Sequence, residues 1–367
     1  MNSLLTLGIF IAILFLYIHI AQQYKKTDET EIYETDFTSK SHFEEVCELK
    51  QPVLFDMKEI IPELYTTLIP QQIARFSHYD INVKDSKDYF KDENVDPIYL
   101  PLHTSIKFME SDSEGHLFSE NNQDFLEECG FLDKLDSIHS ILKPPFTIHQ
   151  SNDLYFGSCN TTLPFKYHTN NRQFLCVTNG KIKIKMASWK NTKYLHPHKD
   201  YENYEFRSSV DPKQPQSNYT NDYDKIQFIE FNVHSGHMLY IPPYWWYSIT
   251  YLDDPTTFAY SVKYSTFVNC VANSWDLLLY SLQQQNITKK IKRTSLPEVQ
   301  EESEKYENIE ETIEDIVADP AIMDPPPIKE VDENDVQEVQ DEKKPEPEPP
   351  IKQLKMKENI EYSISDI

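Results

Sequence analysis

The chain has 367 residues, 35 of them Lys or Arg against 60 Asp or Glu, giving a formal charge of −25 and a pI near 4.8. So acidic a chain has little with which to neutralise phosphates, which argues against a nucleic-acid binder. Its five cysteines (Cys47, Cys129, Cys159, Cys176, Cys270) are scattered and form no C-x-x-C pair, which argues against a zinc ribbon or a disulfide framework.

Between Leu4 and Ala21 the sequence reads LLTLGIFIAILFLYIHIA, without a charge. At about 1.5 Å per residue this run spans roughly 27 Å, the thickness of the hydrocarbon core. The expectation is a single-pass membrane anchor over residues 1–24, with a linker over 25–46. Lys25 and Lys26 follow the run and nothing basic precedes it, so the folded part is expected on the cytosolic side. A cleaved signal peptide is the rival, but it calls for a basic start and small residues at the cut.

The folded body is expected over 47–285. Its first half mixes short patterns: strands at 52–56 and 147–150, helices at 63–68 and 123–129. Its second half is dense in β-branched and aromatic runs at 173–177, 181–186, 226–233, 238–241, 246–252 and 257–264. Lys181-Ile182-Lys183-Ile184-Lys185 alternates at period two, the pattern of a strand with one wet face. Residues 271–282 have helical spacing, with Trp275, Leu278, Leu279 and Leu282 able to share a face. Beyond, residues 286–367 are Pro-rich and acidic. From Ile291 onward there are 23 acidic and nine basic side chains, nine prolines and no glycine. That composition predicts a disordered tail, able to recruit a basic protein partner or simply to keep the chain soluble.

The most informative stretch is Gly236-His237-Met238-Leu239-Tyr240-Ile241-Pro242-Pro243-Tyr244-Trp245-Trp246-Tyr247. It resembles the G-D-x-L-Y-I-P-x-x-W-W-H strand of the cupin-like JmjC superfamily, the double-stranded β-helix protein hydroxylases and demethylases. Leu154 to Ser158, Phe174 to Lys181, Tyr194 to Pro197 with Ser208 to Asp211, and Cys47 to Pro52 are similar to further motifs of that superfamily, over about 230 residues. Gly157, Gly180 and Gly236 fall on its turn positions. The resemblance implies a mainly β fold with flanking helices, a double-stranded β-helix of jelly-roll or cupin type.

In active members, Fe(II) is held by two histidines and a carboxylate, leaving room for 2-oxoglutarate and O₂. The first two ligands come as H-x-D because alternate residues share a strand face. The second histidine ends the W-W-H motif, where this chain has Tyr247. Three registers place the H-x-D pair: Tyr167 with Thr169 counting back from Gly180, Lys166 with His168 anchoring on Pro164, and His168 with Asn170 after shortening the loop. None supplies both a histidine and a carboxylate, so Tyr167, Thr169 and Tyr247 read as degenerate metal positions and His168 as a residual ligand. The family lysine that pairs with 2-oxoglutarate falls at Ile182, between Lys181 and Lys183. Those two lysines, with Tyr244 and Trp245, are the candidate pocket, although the aromatic pair also fits core packing. His196-Pro197-His198, His234 and His237 offer no third ligand by spacing.

The expected function is a membrane-anchored, catalytically inactive cupin-like JmjC domain serving as scaffold or binding module, with no metal and no cofactor. Two alternatives stand beside it. One is a divergent Fe(II)/2-oxoglutarate hydroxylase using His168 with His149 or Glu230. The other is a tether that recruits a partner through its acidic tail. The Lys-, Tyr- and Asn-rich, Gly-poor composition with an N-terminal anchor is similar to proteins of large DNA viruses or AT-rich protists, which implies a virion or host endomembrane location.

Overall fold

The computed structural model describes residues 2–90, 97–252 and 257–291. Among these, a nine-stranded and a six-stranded sheet face each other. From Thr147 the chain steps between them. Thr147–Gly157 lies in the larger sheet, Lys166–Tyr167 in the smaller, Arg172–Asn179 in the larger and Lys181–Ala187 in the smaller. After Pro197–Asp200 and Glu205–Ser208, which extend the smaller sheet, the alternation resumes. Ile229–His234 is in the smaller sheet, His237–Ile241 in the larger, Trp246–Tyr251 in the smaller and Phe258–Thr266 in the larger. Antiparallel pairing throughout this part winds the chain into the two-sheet cupin arrangement.

Alternation along each strand decides what lies between the sheets. Ile182, Ile184 and Met186 are fully buried there, beside Leu175, Val177, Leu239 and Ile249 from the neighbouring strands. Lys183 and Lys185 stand on the other side of the same strand and pair with Glu230 on the adjacent edge strand, at 2.5 and 3.1 Å. The outer face of the larger sheet presents Phe174, Cys176, Tyr240, Tyr260 and Tyr264. Helices cover it through Phe43, Leu64, Leu126 and Ile138. The outer face of the smaller sheet carries Phe165, Ala187 and Trp246 under Leu195 and Ile226.

Two stretches differ from the sequence expectation. The segment 25–46 is not a free linker. Tyr33–Asp36 adds in parallel to Val53–Asp56, and the helix Lys40–Glu48 sinks Phe43 into the core. The long-range anchor of that helix is Arg172, itself buried, which pairs with Glu44 at 2.5 Å and Glu48 at 3.3 Å. At the other end, the expected 271–282 helix is two pieces, Phe267–Ala272 and Ser274–Ile291, and Trp275, Leu278 and Leu282 face outward.

Among the described residues one helix, Ser3–Gln23, is long and apolar enough to cross a membrane, with a mean hydropathy of 2.5, as a membrane anchor or a signal sequence would be. The acidic tail expected at 286–367 lies, from residue 292 onward, outside the described residues.

Gly180 turns the chain between two facing strands with φ +80°, and a Cβ there would run into the Thr257 side chain. Both the left-handed backbone and the close approach require glycine. Gly180→Ala is therefore expected to cost about 1–3 kcal/mol, read as a lower urea midpoint at unchanged slope.

Candidate functional site

A cavity of about 490 Å³ opens at one end of the barrel, between strand ends and the C-terminal helices. Its floor is set by cross-strand pairing. Lys166 lies opposite Tyr247 in the smaller sheet, and Tyr155 reaches the same space from the larger one. The Lys166 ammonium lies 4.7 Å from the Tyr155 ring centre and 5.9 Å from that of Tyr247.

Lys166 does not stand alone. It forms an ion pair with Glu120, which also holds Lys84 at 3.2 Å, and Lys84 in turn reaches Glu205 at 3.2 Å. The Glu120 and Lys84 side chains are nearly inaccessible to solvent. Burial works against the charges of Glu120, Lys166 and Lys84, and the ion pairs overcome it. Burial lifts the Glu120 carboxyl, but Lys166 and Lys84 pull it well below the carboxylate range. Burial lowers both ammonium groups, yet their glutamates hold Lys166 and Lys84 above the usual lysine value.

His168, next but one along the chain, is buried. Its Nε2 lies 2.9 Å from the Ile241 carbonyl oxygen, to which it donates, and its Nδ1 has no hydrogen-bond partner among the described residues. Burial, with the Lys263 charge second, pushes its pKa down to about 3. The ring is thus neutral, and its C–H proton shift is expected to stay constant between about pH 8 and pH 5, a range over which an ordinary histidine titrates. Tyr247 accepts a hydrogen bond from Gln173 Nε2 at 3.0 Å, and the same amide reaches Ser261 Oγ at 3.1 Å.

Of the three registers, the pairing puts Lys166 across from Tyr247, and its neighbour Tyr167 turns to the opposite face. The Tyr167 ring stacks on Phe206 at 5.1 Å and meets Trp246 edge-on at 4.7 Å. A one-residue step reverses the side-chain direction, so Lys166 stands with Tyr247 where Tyr167 was expected. Thr169 Oγ1 lies 3.2 Å from Tyr204 Oη at the cavity rim.

The four residues expected to form the pocket line it nowhere. Lys181 and Lys183 sit on the outer side of their strand. Trp245 is wholly buried between the sheets. Tyr244 donates to Asn273 Oδ1 at 2.8 Å and carries the Lys26 ammonium 4.0 Å above its ring. Sequence reasoning missed Glu120, Lys84 and Glu205, because all three lie outside the motif strands and only the fold brings them to Lys166. It also missed Lys263, which lines the cavity with Ser151 and His149 and has no ion-pair partner among the described residues. Its position two residues before Ser265 on an inward-facing strand was the available signal.

Iron with 2-oxoglutarate needs two imidazoles and a carboxylate whose lone pairs converge on one point. These residues do not fit. Lys166 is a protonated cation with no lone pair to give, Tyr247 is a phenol bonded to Gln173, and His168 spends Nε2 on a carbonyl. Among the described residues, no group of three or more His, Cys, Asp or Glu is able to hold a metal ion. Glu230 lies on the outer edge strand with its two lysines, and His196 is paired with Asp222 at 3.1 Å.

Two facing sheets with a mouth cavity of this kind define a cupin-like domain. Residues 70–275 match the cupin-like domain family, and the chain belongs to it. It is also 30% identical over 95 residues to JmjC domain-containing protein D of Dictyostelium discoideum. That match covers 26% of this chain and 21% of the relative, so the chain spans about a fifth of that protein's length.

Proposed function

We propose that the chain is a membrane-anchored cupin-like domain whose barrel binds a small polar ligand without metal and does not catalyse oxygenation. The observation that carries this reading is the ion pair between part-buried Lys166 and buried Glu120 at the level where the JmjC-type motif would gather its metal ligands. An ion pair with excellent partners is hard to dismantle, since removing either charge leaves the other buried and uncompensated. The cavity volume suits a metabolite-sized molecule. Lys263, which has no ion-pair partner there among the described residues, favours a ligand bearing a carboxylate or phosphate group. The apolar N-terminal helix supplies the anchor, and a virion or host endomembrane is the location this reading implies.

Thermal unfolding under anoxic conditions tests the reading. With Fe(II) and 2-oxoglutarate together, the melting temperature is expected to stay where it is without them. A rise of several degrees that requires both, accompanied by oxygen-dependent consumption of 2-oxoglutarate, would establish the hydroxylase alternative instead.

A further inference from the structure

Beyond the N-terminal helix, the described surface exposes Ile98, Tyr99 and Phe108 at one place and a larger apolar group around the C-terminal helices. Phe146 is 85% exposed and Trp275 68%, with Phe267, Ile148, Leu278 and Leu282 also open to solvent. They come from three elements that meet. The Phe267 amide donates to the Phe146 carbonyl at 3.2 Å, and Ile148 lies on the strand that begins at Thr147. Trp275, Leu278 and Leu282 follow at helical spacing along one side of Ser274–Ile291. The opposite side of that helix, with Leu277 and Tyr280, lines the barrel mouth. The helix is therefore apolar on both flanks, and only one flank is used by the domain itself.

What covers the open flank is indicated by its neighbour. The apolar helix Asn2–Gln23 packs against Phe267–Ala272, and Tyr24, just past its end, donates a hydrogen bond to the Ala272 carbonyl. Trp275 follows three residues later. The patch thus continues from the point at which the apolar helix ends, the depth where Trp and Tyr rings settle in a bilayer. We infer that Phe146, Ile148, Phe267, Trp275, Leu278 and Leu282 form a membrane-docking face that lies in the interfacial layer of a phospholipid bilayer beside the anchor. The inference rests on the anchored reading above. It deepens that reading by fixing how the barrel sits: with its C-terminal helix flat on the membrane and the cavity mouth close to the headgroups. Given the charge of −25, binding comes from apolar insertion into a zwitterionic surface rather than from anionic lipid.

The test uses the full chain reconstituted into phosphatidylcholine vesicles whose acyl chains carry bromine, a short-range quencher of indole emission. Subtracting the spectrum of Trp275→Phe isolates the Trp275 contribution. That contribution is expected to fall at least about twofold relative to unbrominated vesicles. It should recover most of its intensity in a Leu278→Asp/Leu282→Asp variant that still resists carbonate extraction. An unquenched Trp275 in a carbonate-resistant chain overturns docking and leaves the anchor standing, and capture of Trp275 by a second copy in cross-linking does the same. Release of the chain by carbonate removes the anchor and this inference together.

Discussion

Glu120→Gln is expected to destabilise the domain by about 3–5 kcal/mol, the cost of leaving a buried charge without its partner. Glu120 is the only acid paired with Lys166 among the described residues, and it shares Lys84 with Glu205. Glutamine keeps the shape and loses the charge, so the buried Lys84 and the part-buried Lys166 ammonium groups then face one partly buried carboxylate. Removing the opposing charge as well, in Glu120→Gln/Lys166→Met, should restore at least half of the loss, because the methionine stem still packs against Tyr155. Chemical denaturation of the three proteins gives these figures directly. The same cluster sets a pH dependence. The Glu120 carboxyl is depressed in the folded state, so its contribution is complete above the unfolded value near 4.5 and disappears as the pH falls below it. Lys166 and Lys84 are raised in the folded state, so their contribution is complete below the unfolded value near 10.5 and is lost only as the pH rises beyond it. Stability should form a plateau between those limits, and Glu120→Gln should flatten its acid edge.

The second large effect belongs to Trp245. As a wall of the ligand cavity, its removal would change binding and leave stability nearly intact. As an interior side chain among Leu163, Ile241 and Ile249, it should cost about 3–5 kcal/mol when cut to alanine. Its indole Nε1 has no hydrogen-bond partner among the described residues. Trp245→Phe therefore discards an unsatisfied donor together with some volume, and its cost should be less than half that of the alanine variant. Urea midpoints of the two variants give the comparison.

The barrel was legible because strand alternation and turn glycines leave local marks. Lys181 to Lys185 announced its two faces, and Gly180 and Gly236, both at positive φ, marked the ends of paired strands. The Gly-to-Tyr247 motif placed its strands correctly because aromatic density of that kind is rare. The site was legible only in part. Lys166–Tyr167 is a two-residue strand, too short for a period to show which residue points inward, and pairing with Tyr247 decides it. Glu120 precedes Lys166 by 46 residues, and Glu205 lies still further from Lys84, so no spacing rule connects them. The outward face of Trp275, Leu278 and Leu282 was visible as a helical stripe, but a stripe does not say whether a barrel or something else covers it.

The most direct test of the central claim is anaerobic equilibrium dialysis of the full chain against Fe(II), with bound iron measured after return to metal-free buffer. Far less than one iron per chain is expected, with no dependence on His168. One retained iron per chain, lost in His168→Ala, would contradict the claim.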